Sequence, residues 1–405
     1  MKSKATLLAK GRNHINGPLK EIVSTHLARF IRECRLSRGL TTRQIEKMTK
    51  DRNALKPLTH SNLAAIEQGR YIPRFDDILS LSMVLGTPVQ QFEEKLKLDM
   101  LESRPLELPR SWKELMKLGT ETMEMGEFDD ALAYFRKASE ISSDSQTDMA
   151  REIKAKLNII NCLQHLGLSR IAKDEIEELL TRSDLQLPFI IRCNFILGDI
   201  YRSQRNFQLA RLHLEAACRQ AEGLDDLTLQ GEVYKALADL YADQGQYGKA
   251  ATLNRKALKN FKDTGELRHQ ITTEISLGMC MAEICNYEEL FDALRLVESG
   301  LKKARKKSYK REISLANLAL TKIHYRHNNL NHAIQAAEEA KEIAQEEDLH
   351  DIQFQSLFYL WEAAKQKKKT QLAQVYFERL RQLYEKVEHQ HPEVQAFEGF
   401  CKSGE

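Results

Sequence analysis

The chain has 405 residues, of which 42% are hydrophobic and 29% are charged, and its formal net charge at pH 7 is +3. This length accommodates two or more domains with a substantial buried core. The sequence contains only 8 prolines and 18 glycines and is rich in helix-forming residues, which predicts an all-α protein. It has no run of alternating β-branched residues that would favour a strand.

The cysteines and the hydropathy pattern limit the environment of the protein. Seven scattered cysteines form no CxxC pair and no Cys/His cluster with zinc spacing, which indicates reduced thiols in a cytoplasm. No apolar run approaches the roughly 18–20 residues that span a bilayer. We therefore expect a cytoplasmic protein that has no metal, no cofactor and no membrane segment.

The charge is distributed unevenly along the chain. Residues 1–74 contain sixteen Lys and Arg against five acids, a net charge of +11, whereas residues 75–405 carry −8. A basic head on an acidic body is typical of a nucleic-acid-binding domain attached to a second module. Residues 1–17 are polar and basic and end at a Gly-Pro breaker, so they are expected to form a disordered basic arm or, alternatively, an arm that contacts DNA.

Five short helices are predicted between residues 18 and 97. The first ends at Arg38-Gly39-Leu40, and the second opens with a capping box formed by Thr41 and Gln44. The third lies in the stretch 58–69, where Thr59 suits an N-cap and Gly69 a left-handed stop. Alone, that stretch fits an ordinary surface helix equally well. Two further helices follow, and the second and third form a helix–turn–helix.

These helices resemble the Xre/λ-repressor-like helix–turn–helix family. The resemblance rests on Arg38-Gly39-Leu40-Thr41, Ile45, Leu63-x-x-Ile66-Glu67-x-Gly69, Pro73 and Leu79-x-x-x-x-Val84-Leu85-Gly86. Two features depart from the family. Thr42 stands where the family usually has a phosphate-clamping Gln, and the turn through residues 50–56 is about seven residues longer than usual. Glu67 is expected to pair with an Arg inside the domain.

The resemblance implies that the third helix enters a major groove. The residues expected there are Thr59, His60, Ser61, Asn62 and Ala65, with Asn62 suited to paired bonds with adenine. The residues expected near phosphates are Thr42, Arg43, Arg52, Lys56, Arg70 and Arg74.

After a linker expected at residues 98–110, a sequence frame repeats with a period near 40. A typical copy is Leu197-Gly198-x-x-Tyr201 followed by Phe207-x-x-Ala210 and Leu214-x-x-Ala217. Small residues let two antiparallel helices approach closely, and such pairs must stack to bury their faces. The frame resembles the tetratricopeptide repeat. It implies an α-solenoid of about seven helix pairs over residues 111–385, closed by a capping helix and tail over residues 386–405.

The repeat resemblance implies a concave face lined by first-helix residues, which could hold an extended peptide. The residues expected there are Asn158, Asn161, His165, Arg192, Asp199, Arg202, Lys235, Asp239, Lys322, Tyr325 and Arg326. Another group, His324, His327 and His332, clusters in one repeat without zinc spacing and is expected on a solvated helix and turn.

As a whole, the chain resembles the peptide-responsive quorum-sensing regulators of Gram-positive bacteria. It is therefore interpreted as a transcriptional regulator that binds a double-stranded operator as a homodimer and senses a peptide or protein. The alternative is an interaction scaffold whose repeats dock a partner while DNA binding is secondary. An enzyme is disfavoured, because the sequence contains no Gly-rich phosphate loop, paired His/Glu metal motif or nucleophile elbow.

Overall fold

The computed structural model describes residues 25–51, 57–102, 106, 108–143, 149–183, 185–284, 287–387 and 391–403. Within these ranges the regular structure consists of twenty α-helices and one 3-10 turn at Tyr384–Lys386, without a strand. The predicted all-α class is therefore confirmed. The predicted basic arm, residues 1–17, lies outside the described residues. The chain divides into two units, Met1–Glu177 and Glu178–Glu405.

The first unit begins with the five predicted short helices. They are α1 (Thr25–Leu36), α2 (Thr42–Asp51), α3 (His60–Glu67), α4 (Phe75–Leu85) and α5 (Val89–Glu102). Their apolar faces share one core, to which α1 contributes Ile31, α2 contributes Ile45, α3 contributes Leu63 and α5 contributes Phe92, each at most 1% exposed. Removing these side chains from water is the main force that holds five short helices together.

Helix α5 continues into the segment that the sequence assigns to a linker. Leu98, Asp99 and Leu101 are buried on it, because apolar spacing persists to the end of the helix. Asp99 also caps the start of α1: Oδ1 accepts from the backbone N–H of His26 at 2.7 Å, and Oδ2 accepts from that of Leu27 at 3.1 Å. Residues 98–102 are thus helical and bound to α1, whereas the sequence analysis assigned them to a linker because two prolines follow closely.

The remaining helices of the first unit belong to the repeats. They are α6 (Trp112–Glu124), α7 (Phe128–Ser143), α8 (Met149–His165) and α9 (Ser169–Leu180), whose last residues cross into the second unit. Glu102 at the end of α5 joins the two parts of this unit. One of its carboxylate oxygens lies 2.6 Å from His26 Nε2 on α1, and the other lies 2.6 Å from Arg136 Nε on α7.

The second unit continues the series of helix pairs. Its helices are α10 (Leu187–Ser203), α11 (Phe207–Ala221), α12 (Leu227–Asp243), α13 (Tyr247–Thr264), α14 (Leu267–Ile284), α15 (Tyr287–Lys307), α16 (Lys310–Arg326), α17 (Leu330–Glu346), α18 (His350–Gln366), α19 (Thr370–Leu383) and α20 (Pro392–Ser403). In the described part of the chain, the order of helices from α6 to α19 gives seven successive pairs, as the repeat frame predicts. We call the even-numbered member of each pair its first helix.

Glycines of the repeat frame permit close contact within the pairs. A Cβ at Gly198 on α10 would lie 2.4 Å from Leu214 Cγ on α11, and one at Gly119 on α6 would lie 2.6 Å from Phe135 on α7. Atoms cannot approach so closely without displacement. The Leu-Gly positions of the frame are therefore fixed by helix contact, which explains the recurring small residue.

The carboxyl-terminal helix α20 covers the last pair. Phe397 packs edge-on to Trp361 of α18 with ring centroids 5.8 Å apart, and Phe400 contacts the same indole at 4.9 Å. Phe397 also lies 5.3 Å from Phe377 of α19. This aromatic cluster buries the apolar surface that would otherwise be exposed at the end of the stack, as terminal caps of repeat arrays do.

Candidate DNA interface and repeat surface

Helix α3 has the boundaries that its sequence predicts. Thr59 is the N-cap, and its hydroxyl accepts a hydrogen bond from the Asn62 backbone N–H at 3.2 Å. Leu63 and Ile66 are each 1% exposed, and Gly69 follows with φ +68°. The buried stripe faces the core, so the opposite side of α3 is turned away from it.

The start of α3 is held by a residue that the sequence analysis did not single out. Glu46 of α2 accepts the His60 backbone N–H through Oε2 at 3.0 Å and lies 2.8 Å from His60 Nδ1. Its other oxygen accepts from Lys50 Nζ at 2.7 Å. The hydrogen bonds from Lys50 and His60 lower the pKa of Glu46 to about 2. Glu46 therefore restrains the His60 ring at the first helical position.

A second contact fixes α3 relative to α1. Arg35 donates through Nε to Glu67 Oε1 at 2.6 Å and through Nη2 to Glu67 Oε2 at 2.7 Å, and its Nη1 donates to the Leu40 carbonyl at 2.8 Å. The two side chains are only 12% and 8% exposed. The expected partner of Glu67 is thus Arg35, and this bidentate geometry sets both the position and the orientation of the helix.

Most of the predicted DNA-contacting residues within the described ranges lie on the exposed side of α2 and α3. His60, Ser61 and Asn62 are exposed in the first turn of α3, whereas Ala65 is half-buried. At the start of α2 the predicted capping box is present: Gln44 N–H donates to Thr41 Oγ1 at 3.2 Å, and Thr41 N–H donates to Gln44 Oε1 at 2.7 Å.

The predicted phosphate contacts are described only in part. Thr42 is half-buried at the first position of α2, and Arg43 beside it is exposed. Arg70 and Arg74 are exposed beyond α3, where the Arg70 guanidinium contacts the Gln68 side chain. Arg52 and Lys56 lie outside the described residues.

The predicted groove residues are divided between the two units. Asn158 and Asn161 lie half-buried on α8 of the first unit, and His165 at its end stacks on Phe128 with ring centroids 4.3 Å apart. The others lie on α10, α12 and α16, which are first helices of the second unit.

On α10 and α12, the predicted groove residues bind one another or acids of the neighbouring pair. Arg192 Nη1 lies 3.0 Å from Glu232 Oε2. Lys235 Nζ lies 2.6 Å from Asp239 Oδ2. These contacts join charges that the sequence places about one repeat or one helical turn apart.

Arg202 carries the densest set of contacts on this surface. Its guanidinium lies 2.8 Å from both Asp199 Oδ1 and Asp243 Oδ2. Burial opposes its charge, but the negative charges of Asp199, Asp239 and Asp243 outweigh burial and raise the pKa of Arg202. The guanidinium is therefore a fixed positive centre among three carboxylates.

A second cluster surrounds Lys322 of α16. Lys322 Nζ donates to Gln355 Oε1 at 2.7 Å and lies 2.9 Å from Glu393 Oε1, an oxygen that also accepts from Tyr359 O–H at 2.9 Å. Burial raises the pKa of Tyr359, and the Glu393 charge raises it further. Burial favours the neutral form of Glu393, but Lys322 outweighs this and lowers the pKa of Glu393.

Tyr325 and Arg326, also on α16, have partners on neighbouring first helices. Tyr325 donates to Glu362 Oε2 at 3.4 Å and accepts from Gln366 Nε2 at 2.8 Å. Arg326 forms an ion pair with Glu283 of α14.

The sequence analysis did not identify the acids that pair with these cations, although the repeat period could have indicated two of them. Glu232 follows Arg192 by 40 residues, and Asp243 follows Arg202 by 41, so each acid lies one repeat period beyond its partner. Charges of opposite sign one period apart on first helices are expected to meet across adjacent pairs. Glu393 carries no such signal, because it lies on the capping helix.

In the part of the chain that the structure describes, no group of three or more His, Cys, Asp or Glu is arranged to hold a metal ion. Within the same residues, no helix combines the length and the apolar character needed to cross a bilayer.

Comparisons with known proteins follow the same division of the chain. A family model described as a helix-turn-helix domain matches residues 26–94, which contain all but the first residue of α1, all of α2 to α4, and part of α5. No curated protein matches the sequence significantly.

Solved structures resemble the chain at low sequence identity. A Rap protein complexed with Competence and Sporulation Factor has 17% identity and a TM-score of 0.58, covering 71% of this chain and 80% of its own. The Rap conjugation gene regulator of plasmid pLS20, in complex with the Phr* peptide, has 13% identity and a TM-score of 0.52, covering 91% and 98%. A signal-transduction ATPase from Pyrococcus horikoshii with a tetratricopeptide repeat sensor has 14% identity and a TM-score of 0.53, covering 94% and 59%.

These likenesses show the fold: the chain joins a helix–turn–helix domain to a tetratricopeptide-like array.

Proposed function

We propose that the protein is a sequence-specific, DNA-binding transcriptional regulator whose repeats bind a peptide or protein partner and mediate dimerisation. The observation that carries the proposal is the first turn of α3. There, exposed His60, Ser61 and Asn62 project from a helix fixed by Glu46 and by the Arg35–Glu67 pair. Small polar side chains on a helix held this rigidly suit the edges of base pairs in a major groove.

The charge distribution supports the same proposal. The net charge of +11 on residues 1–74 would attract the phosphate backbone, and Thr42, Arg43, Lys56 and Arg70 would position the domain on it. Two copies related by two-fold symmetry would place their α3 helices about 34 Å apart on a palindromic operator. The six described cysteines are unpaired, which agrees with a protein that acts in the cytoplasm.

The proposed sensing site is the surface of the first helices. The pLS20 regulator, which shares the fold over most of this chain, is in complex with a peptide. In this chain the first helices carry the ion pairs of Arg192, Arg202 and Lys322. A peptide offering carboxylates and backbone carbonyls could replace the present partners of these cations. We infer a role in regulation rather than catalysis.

Selection of DNA sequences by the intact protein, followed by affinity measurements, tests the proposal. We expect Asn62→Ala to weaken binding to the selected site roughly tenfold or more, because paired bonds to one base contribute about 1–3 kcal/mol of discrimination. Binding to random DNA should change little. Gln90→Ala, which removes another exposed amide of the same domain, is the matched control. If the intact protein enriches no sequence at low salt, the proposal is wrong.

A further inference from the structure

A cleft of about 530 Å³ lies between α15, α16 and α17 of the second unit, apart from the ion pairs described above. We call it the histidine cleft and define it by Leu301, Asn317, Leu320, His324, His332 and Ala336. Leu301, Leu320 and Ala336 form an apolar floor, each 7–8% exposed. Such a floor can bury the body of a small organic molecule.

Asn317 is the polar residue of the floor. It is 2% exposed, and its Nδ2 has no hydrogen-bond partner in the described part of the chain. A buried N–H without an acceptor costs about 1–3 kcal/mol. An acceptor oxygen bound in the cleft would recover this cost, so the amide marks the position of a carbonyl or carboxylate.

Two imidazoles border the same space. The rings of His324 and His332 lie 5.2 Å apart, and His324 is half-buried rather than on the solvated face that the sequence predicts. Burial, and then the charges of His332 and His327, lower the pKa of His324. A negative charge between the rings would offset these effects and favour the protonated form of His324.

The other charged residues around the cleft do not cancel its preference for a negatively charged ligand. Arg305 is paired with Glu339, with Nη2 at 2.5 Å and 2.7 Å from the two carboxylate oxygens. Lys302 is exposed and makes no ion pair with a described residue, and Glu298 is the remaining acid of the lining. The positive charge of Lys302 therefore balances the negative charge of Glu298. The net charge of the cleft then depends on the two imidazoles.

We propose that the histidine cleft binds a small organic carboxylate with an apolar body. One carboxylate oxygen accepts a hydrogen bond from Asn317, the imidazoles of His324 and His332 flank the charge, and the body covers Leu301, Leu320 and Ala336. This site is independent of the DNA interface and of the peptide surface proposed above.

Calorimetric titration of the full-length protein with phenylacetate tests the proposal. Phenylacetamide serves as the neutral isostere, and inorganic phosphate as the anion without an apolar body. We expect saturable binding of phenylacetate, at least tenfold weaker binding of phenylacetamide and none of phosphate. Binding should tighten as the pH falls, because protonation of His324, which burial otherwise disfavours, places a positive charge beside the bound carboxylate. Other titratable and charged groups surround His324 in and beside the cleft. They are Glu298, Lys302 and Arg305 from α15, His332 and Glu339 from α17, and His327 from α16.

Substitutions then locate the site. Asn317→Ala should weaken phenylacetate binding about tenfold, the loss expected for one hydrogen bond to a charged oxygen. His332→Ala, at an exposed position that tolerates change, should weaken it several-fold. Lys306→Ala, an exposed charge of α15 outside the cleft, should leave affinity unchanged. The proposal is overturned if phenylacetate gives no saturable binding at millimolar concentration, or if His332→Ala and a folded Asn317→Ala bind it like the wild type.

Discussion

The start of α3 and the first helices of the second unit use polar residues in opposite ways. On α3, the exposed hydroxyl of Ser61 and amide of Asn62 make no hydrogen bond to another helix in the described part of the chain, while buried or capping residues hold the helix in place. On the first helices, Arg202 and Lys322 are each bound by two or more side chains.

The difference separates a surface ready for binding from one that must rearrange. In the proposed complex, DNA bases would meet Ser61 and Asn62 without breaking a contact between helices. A ligand of the first helices has to exchange its own acceptors for those of Asp243, Gln355 or Glu393. Exchange of this kind changes the connections between neighbouring helix pairs, so it provides a physical route from ligand binding to a change in the array.

The largest expected effect tests whether the Arg35–Glu67 pair holds α3. Glu67→Ala leaves the guanidinium of Arg35 buried without its carboxylate, so the helix–turn–helix domain should lose about 3–5 kcal/mol of stability. Chemical denaturation should reveal an early transition for this domain, and affinity for the selected DNA should fall with it.

A double variant separates loss of charge pairing from loss of packing. Arg35→Met with Glu67→Met removes both charges and retains apolar volume, so it should be more stable than Glu67→Ala alone. If Glu67→Ala unfolds no earlier than the wild type, α3 is held by its apolar core alone. The buried ion pair would then not be what keeps α3 in place.

The next effect concerns the rigidity of the array. Gly198→Ala places a Cβ 2.4 Å from Leu214 Cγ, so α10 and α11 must separate and the second unit should lose about 1–3 kcal/mol. Gly248→Ala on α13 meets no atom within 4 Å and should instead stabilise its helix by roughly 0.5–1 kcal/mol. Thermal unfolding of both variants measures this difference. Equal midpoints for the two variants would contradict the close packing of α10 against α11.

Much of the fold follows from local sequence signals. The capping box of Thr41 and Gln44, the N-cap of Thr59 and the Leu-Gly positions of the repeats all act within a turn or within one helix pair. Such signals depend on residues near one another in the chain, so they predict helices and their pairing directly.

The sites depend on contacts between distant residues. Glu46 reaches His60 across 14 positions and a turn of unusual length, and Glu393 reaches Lys322 from the capping helix. Composition and periodicity identify neither contact, because each depends on how complete helices pack. The repeat period was nevertheless informative for Arg192 and Glu232, which meet because they occupy related positions in adjacent pairs.

A smaller effect on stability is expected when Glu393, which links α20 to Lys322 of α16, loses its charge. Glu393→Gln retains an oxygen for Lys322 and Tyr359 but removes the carboxylate charge, so stability at neutral pH should fall by about 1–2 kcal/mol. Because the pKa of Glu393 is lowered in the folded protein, its contribution is present above the ordinary value near 4.5 and is lost as the pH falls through the folded-state pKa.

Urea denaturation at neutral and acidic pH measures this contribution. The gap between wild type and Glu393→Gln should narrow as the pH is lowered. Glu398→Gln changes a half-buried acid of the same helix whose partner, Lys402, is exposed, and should alter stability less than Glu393→Gln does. A gap that persists at low pH would show that Glu393 acts through packing, and that its charge does not connect α20 to α16.

The smallest effect distinguishes an unpaired cation from a paired one. Arg43 is exposed and makes no ion pair with a described residue, whereas Arg192 is bound to Glu232. Arg43→Ala should leave stability unchanged but reduce the slope of log affinity against log salt by about 1, because one fewer counterion is released from DNA. Arg192→Ala should leave that slope unchanged and cost about 1 kcal/mol of stability, because its ion pair with Glu232 is half-buried at the surface. Equal salt slopes for Arg43→Ala and the wild type would place Arg43 away from the phosphates. A reduced slope for Arg192→Ala would instead extend the DNA interface to the repeats, because a cation paired within the array should not contribute to counterion release.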